Sequence, residues 1–156
     1  MTERVELRDV VANVVRELIS SQAADGYLGP FPKAERLRGY SDLWGHYHVL
    51  AGLLMWHEAT GDETALQAAR RAADLICVTF LDSNIRVLDA GSPEMHMAMI
   101  NGLGRLFLVT RQPRYLQLMR EIEKERFLSM TKRRKNLERH QSFYPPMRLP
   151  KRPSPL

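Results

Sequence analysis

Apolar side chains recur along the first part of the chain at the period of a helix. Val11, Val14, Val15, Leu18 and Ile19 follow three- and four-residue steps within residues 4–21, which predicts an amphipathic helix there. The pattern stops at "QAADGYLGPFP", where Asp-Gly and Gly-Pro mark a loop. A second helix is predicted from about Asp42 to Ala59, closed by Gly61. Asp62 then stands where a carboxylate caps a third helix, "ETALQAARRAADLICVTF", whose alanines and leucines are strong helix formers. "DSNIRVLDAGSPE" reads as a loop. Ser92, Pro93 and Glu94 supply a capping hydroxyl, a proline for the first turn and an acid favoured by the helix dipole. They open a fourth helix that runs to about Val109. The alternation in "MHMAMI" has the strand period, but this start signal and the long apolar continuation favour helix. Pro113 opens a fifth over "RYLQLMREIEKERF".

These helices repeat. A shift of 50 residues aligns His46 with His96, Gly52 with Gly102, Leu53 with Leu103 and Thr60 with Thr110. Leu66, Gln67 and Arg70 likewise meet Leu116, Gln117 and Arg120, giving seven identities in 25 positions. Both copies read as a long helix, a threonine-containing turn and a second helix. A fixed period of this kind marks repeated supersecondary units. The fold class expected is therefore all-α, built of antiparallel αα-hairpins, either a solenoid or part of an α/α toroid.

Charge changes the picture at one end. The net charge of +5 is unevenly placed: residues 127–156 hold eight Lys/Arg and one Asp/Glu, net +7. The first 126 residues hold 15 basic and 17 acidic side chains, net −2. Five of the nine prolines also fall after residue 126. The chain thus divides into a helical domain over 1–126 and a basic, proline-rich tail over 127–156, expected to be disordered. "TKRRKNLERH" has the charge to meet phosphates, but it lacks interleaved aromatics, which disfavours nucleic acid. The longest apolar run, "VLAGLLMW", is too short to span a membrane, and the charged start "MTERVELRDVV" does not resemble a secretory signal. A single cysteine, Cys77, leaves no disulfide framework and no multi-cysteine zinc site, so the expected compartment is the cytoplasm. Nothing in the spacing bears on oligomeric state.

Candidate chemistry gathers around "DLWGHYHVLAG". His46 and His48 are two apart and point to different sides of a helix, so they do not face a common metal. His46 and His57 share a face but stand roughly 16 Å apart along it. Asp25 and Tyr27 have the residue types of a sugar cleft, a carboxylate beside an aromatic platform. Read from the residues alone, a tight Asp-Gly turn with a packed ring is the favoured alternative. Cys77, Met95, Met97 and Met99 read as core filling.

"SQAADGYLG", "WGHYHVLAGLLMWHEATGDETALQAARRAADLI" and "GSPEMHMAMINGLGRLFLVTRQPRYLQLM" resemble, in that order, segments of the catalytic domain of glycoside hydrolase family 127, the β-L-arabinofuranosidase-like enzymes. The resemblance covers about residues 4–126 and ends near Glu125. It implies an (α/α)6 barrel, a carbohydrate partner, and a retaining hydrolysis of a terminal furanose. It also implies that His46 contacts sugar, as the histidine of the family's Gly-His pair, which makes His46, with Asp25 and Tyr27 by their residue types, the candidate substrate-binding residues. Two departures mark a divergent branch: Gly91-Ser92-Pro93-Glu94 replaces a Gly-His-Pro-Glu, and Val49 stands where a Glu often follows Gly-His. The family's acid/base glutamate, nucleophilic cysteine and zinc-binding cysteines lie further along than these segments, so no catalytic residue, zinc site or other cofactor is expected here. Five helices are under half of a twelve-helix barrel, and the expectation is a truncated or remodelled fragment, inactive alone. The alternative is a helical-repeat interaction protein that binds a partner through its concave face and basic tail.

Overall fold

A computed structural model describes residues 2–38, 41–90 and 93–141, with side chains over 6–38, 41–90 and 98–132. The elements are α1 (Thr2–Ser20), α2 (Asp42–Thr60), α3 (Glu63–Leu81), a 3₁₀ turn at Val87–Ala90, α4 (Pro93–Thr110) and α5 (Pro113–Gln141). All regular structure among the described residues is helical. The Ser92 start signal, and the side chains of Met95, His96 and Met97, lie outside the described residues.

The 50-residue repeat has a geometric counterpart in the two hairpin turns. Thr60 Oγ1 donates to Trp56 O at 2.7 Å and accepts the Asp62 N–H at 3.2 Å. Thr110 Oγ1 donates to Leu106 O at 2.7 Å and accepts the Gln112 N–H at 3.4 Å. The next residue is left-handed in both, Gly61 at φ 73° and Arg111 at φ 57°. Their N–H groups close onto His57 O at 2.7 Å and Phe107 O at 2.8 Å. This is the αL helix stop, in which a positive φ lets the chain reverse while the last carbonyls stay paired.

Asp62 then caps α3, its Oδ1 accepting from Thr64 N at 2.9 Å and Ala65 N at 3.3 Å. Its Oδ2 accepts from Trp56 Nε1 at 3.1 Å, which pins the end of α2 to the start of α3. The Thr64 hydroxyl and these N–H donors outweigh burial and hold the Asp62 carboxyl below the ordinary range.

α2 packs on α3 and α4, and α1 packs on α3. The alanines of α3 at 65, 68, 69, 72 and 73 are fully buried. Their small side chains let the neighbouring helices approach closely. Leu50, Leu53 and Leu54 of α2 meet Met99, Leu103 and Leu106 of α4 in one core, which Tyr115, Leu118 and Ile122 of α5 extend.

The structure adds detail at two places. Of the apolar row on α1, Val15, Leu18 and Ile19 face the core, whereas Val11 and Val14 are exposed. Spacing alone gives a helix face, but not how much of it finds a neighbour. The fifth helix also continues to Gln141, through the first part of the segment expected to be disordered. No glycine or proline interrupts the chain between Pro113 and Pro145, and Lys, Arg, Glu, Leu and Met are good helix formers. The proline-rich residues 142–156 lie outside the described residues. Contacts divide the chain into one compact unit over Met1–Arg126 and a second over Phe127–Leu156. Among the described residues, no helix is long and apolar enough to cross a membrane.

Candidate functional site

The irregular stretch between α1 and α2 is held down from its first residues. Gln22 Nε2 donates to Gly26 O at 2.9 Å and to Ala68 O of α3 at 3.0 Å, and Gln22 Oε1 accepts from Arg71. The Asp25-Gly26 turn needs its glycine. Gly26 sits at φ 92°, and a Cβ there would run into the Arg71 carbonyl.

The turn delivers Tyr27 and Leu28 onto the first turn of α2. Asp42 is 4% exposed, and its two oxygens are divided between two parts of the loop. Oδ1 accepts the Tyr27 hydroxyl at 3.0 Å, and Oδ2 accepts the Leu37 N–H at 2.7 Å. Leu37 is fully buried and left-handed, at φ 59°. That conformation costs an L-residue about 1–2 kcal/mol, which a charge-assisted bond to a buried carboxylate offsets. One turn later, His46 Nδ1 lies 3.0 Å from Asp42 O and 3.3 Å from Asp42 Oδ1. The Leu28 N–H donates to His46 Nε2 at 3.3 Å. Since Nε2 accepts, the ring proton is assigned to Nδ1, where it has an oxygen to donate to.

Tyr27 and His46 are each 1% exposed, with ring centroids 4.8 Å apart. The Tyr27 hydroxyl also accepts the Phe31 N–H at 3.2 Å. Burial raises the Tyr27 pKa above its ordinary value, and the Asp42 carboxylate adds to this, so the phenol stays a donor. Arg36 lies over the Tyr27 ring at 4.3 Å from its centroid and pairs with Asp25 Oδ2 at 2.5 Å. Asp25 Oδ1 accepts the Tyr27 N–H at 3.2 Å. Against the raising effect of burial, that N–H and Arg36 hold the Asp25 carboxyl below its usual range.

Asp25 and Tyr27 of the loop and His46 of α2 therefore converge, although the histidine was singled out from a separate segment. They converge as a clasp whose depths are saturated: the Tyr27 hydroxyl and both nitrogens of His46 already have partners. What reaches the surface is its rim, the Asp25 and Arg36 side chains at 28% and 21% exposure. A fixed carboxylate beside a fixed guanidinium presents acceptors and donors in the pattern that vicinal hydroxyls match. Sequence reasoning missed Asp42, Arg36 and Leu37 as members. For Asp42 a signal existed, an acid four residues before a histidine on one helix face. Arg36 lies in an aperiodic loop that offers none.

The other candidates fall elsewhere. His48 is exposed, its Nδ1 2.9 Å from Trp44 O, between the edges of Trp44 and Tyr47. His57 Nδ1 lies 3.0 Å from Asp62 O. Met99 is in the core. Cys77 Sγ lies 3.9 Å from Arg114 O, and burial pushes its thiol up to about 12, leaving it protonated. Among the described residues, no three His, Cys, Asp or Glu side chains converge. A zinc bound through cysteines thus has no ligand set that fits here. A cleft of about 370 Å³ lies at the far end of α2 from His46, lined by Val15, Arg16, Ile19, Trp56, Asp62 and Thr64 among others.

The family whose sequence model carries the description "Beta-L-arabinofuranosidase, GH127 catalytic domain" matches residues 1–145. The chain belongs to this family. The match passes the point near Glu125 where the resemblance was expected to end, and takes in the extension of α5. The chain is also similar to a non-reducing end β-L-arabinofuranosidase of Bifidobacterium longum subsp. longum, at 26% identity over 125 residues. That alignment covers 72% of this chain and 18% of the relative, so the chain spans less than a fifth of the curated enzyme it matches. No solved structure matches the chain.

Proposed function

We propose that this GH127-family chain forms one arc of an (α/α)6 barrel, and that the loop over residues 21–38 is part of the wall facing a terminal β-L-arabinofuranoside. The family match across residues 1–145 carries the reading. The helix packing suits an arc, since each hairpin neighbour also meets the next helix but one, α2 with α4 and α1 with α3. In this reading Asp25 and Arg36 meet sugar hydroxyls, and Tyr27 and His46 lie behind them and fix the loop against Asp42. A direct contact from His46 Nε2 would require the Leu28 N–H to give it up.

The acid/base and nucleophile of a retaining hydrolysis come from outside the described residues. Such a reaction needs two reactive groups about 5 Å apart across the bond to be cut. Asp42 is buried under the Tyr27 hydroxyl and the Leu37 N–H, Asp25 is paired with Arg36, and Cys77 is a protonated core thiol. In this reading the described residues contribute to binding and not to cleavage. Incubation of the purified chain with an aryl β-L-arabinofuranoside should release no aryl alcohol above background. Turnover that His46→Ala abolishes would overturn the proposal.

One observation favours a second reading, a helical-repeat protein that works by contact with a partner: an apolar row on α1 has no cover among the described residues.

A further inference from the structure

His46 is held from both sides of its ring. Nδ1 lies 3.0 Å from Asp42 O and 3.3 Å from Asp42 Oδ1, and Nε2 accepts the Leu28 N–H at 3.3 Å. Both residues are buried, so a partner lost here is not simply replaced by water. The contact to Leu28 exists only while Nε2 keeps its lone pair. A second proton on the ring would set an Nε2–H against the Leu28 N–H, donor against donor. The added charge would face Asp42 Oδ1 on the other side of the ring, so the conflict is confined to Nε2. The other titratable or charged groups around the contact are Asp42 on α2 and Tyr27, Asp25 and Arg36 on the loop. From α3, Arg71 reaches the loop at Gln22. Neither α3 nor α4 brings an ion pair to the cluster among the described residues. Imidazole is the one side-chain type in this set whose ordinary titration falls between about pH 5 and 8.

We infer that His46 is a proton-operated latch on the loop over residues 21–38: the neutral ring holds Leu28 against α2, and a second proton on the ring releases it. Release passes to the rim through the chain. The Tyr27 N–H is bonded to Asp25 Oδ1, and the Tyr27 hydroxyl takes the Phe31 N–H, with Leu28 between them. The bond from Tyr27 to Asp42 and those from Gln22 to Gly26 and Ala68 do not involve the ring, so the opening is local and centred on Leu28. The open form takes up a proton that the closed form excludes. The loop is therefore latched at higher pH and opens as pH falls through the titration of the ring. His46 acts here as a positioning residue. The latch stands on this geometry alone, whereas its effect on sugar binding rests on the furanoside reading.

The test follows the full chain, labelled with ¹⁵N and ¹³C, by NMR between about pH 8 and about pH 5. The Leu28 amide should shift along the same curve as the His46 ring carbons. Its protection from hydrogen exchange should fall by up to about tenfold for each pH unit below the ring's titration. Amides in α3, such as that of Ala69, should keep their protection, which separates release of the loop from unfolding. His46→Gln places an amide near the Nε2 position that does not titrate, and should hold Leu28 throughout the range. His48→Gln, at an exposed ring bonded to Trp44 O, should leave the response as in wild type. If His46→Gln does not fold, coincidence of the two wild-type curves decides. Apparent affinity for methyl β-L-arabinofuranoside should fall with the fraction of chains still latched. A chain that binds no sugar at any pH, while Leu28 follows His46, would remove the furanoside reading and leave the latch. A His46 ring that keeps one charge throughout, a Leu28 amide that ignores the ring, a response retained in His46→Gln, or a loss of protection that spreads to α3 would each overturn the inference.

Discussion

The loop anchor at the start of α2 and the outer face of α1 are opposite cases of how this chain treats its side chains. At the anchor, Asp42, Tyr27 and His46 are almost wholly buried, and each of their side-chain polar atoms has a partner from the same unit. On α1, Leu7, Val10 and Val14 are apolar and mostly exposed. One region is complete in itself, and the other has more apolar surface than its neighbours cover. The difference separates a pinned loop with a polar rim from an apolar face that has no cover among the described residues.

Four substitutions break or sharpen that contrast, in decreasing order of effect. Asp42→Ala strips partners from the buried Tyr27 hydroxyl and Leu37 N–H together, and should cost about 3–5 kcal/mol in urea unfolding. A cost under about 1 kcal/mol would contradict the anchor.

The two hairpin turns are intermediate. Asp62→Ala removes the α3 cap and the Trp56 tether, for an expected loss of about 1–2 kcal/mol. The folded Asp62 carboxyl lies below its ordinary pKa, so its contribution is whole above that value and fades as pH falls through the folded one. The gap between wild type and Asp62→Ala should therefore narrow below about pH 4, measured by unfolding across pH. Arg111→Gly should raise stability by about 1 kcal/mol, since Arg111 holds the left-handed turn that its repeat partner Gly61 adopts without strain. Val14→Asp should change monomer stability by no more than about 0.5 kcal/mol, because no core surrounds the side chain. A large loss there would mean that the α1 face is covered within the chain.

Much of this was legible beforehand. The 50-residue repeat, Gly61 and Asp62 located the hairpins, because helix stops and caps are short-range chemistry that the sequence carries directly. The site was half legible. Asp25 and Tyr27 were marked by residue type, and His46 by family resemblance. Arg36 and Leu37 were not, since they reach the cluster through a loop without period, and left-handed leucine has no sequence signal. The row on α1 was legible as a helix but not in its burial: a helical period predicts an apolar face, and Val11 and Val14 belong to it without facing this core. The extension of α5 was hidden by composition, since a basic segment before prolines resembles a disordered tail while its individual residues favour helix.

The central claim is that the loop pinned by Asp42 and His46 presents Asp25 and Arg36 to an arabinofuranoside. Its most direct test is a titration of the ¹⁵N-labelled chain with methyl β-L-arabinofuranoside, followed by ¹H–¹⁵N spectra. Shifts should concentrate at the amides of Asp25, Leu28, Arg36 and Leu37, and should disappear in Asp25→Ala. Shifts confined to the cleft at Trp56 and Thr64, or a loop that stays silent at saturating sugar, would contradict it.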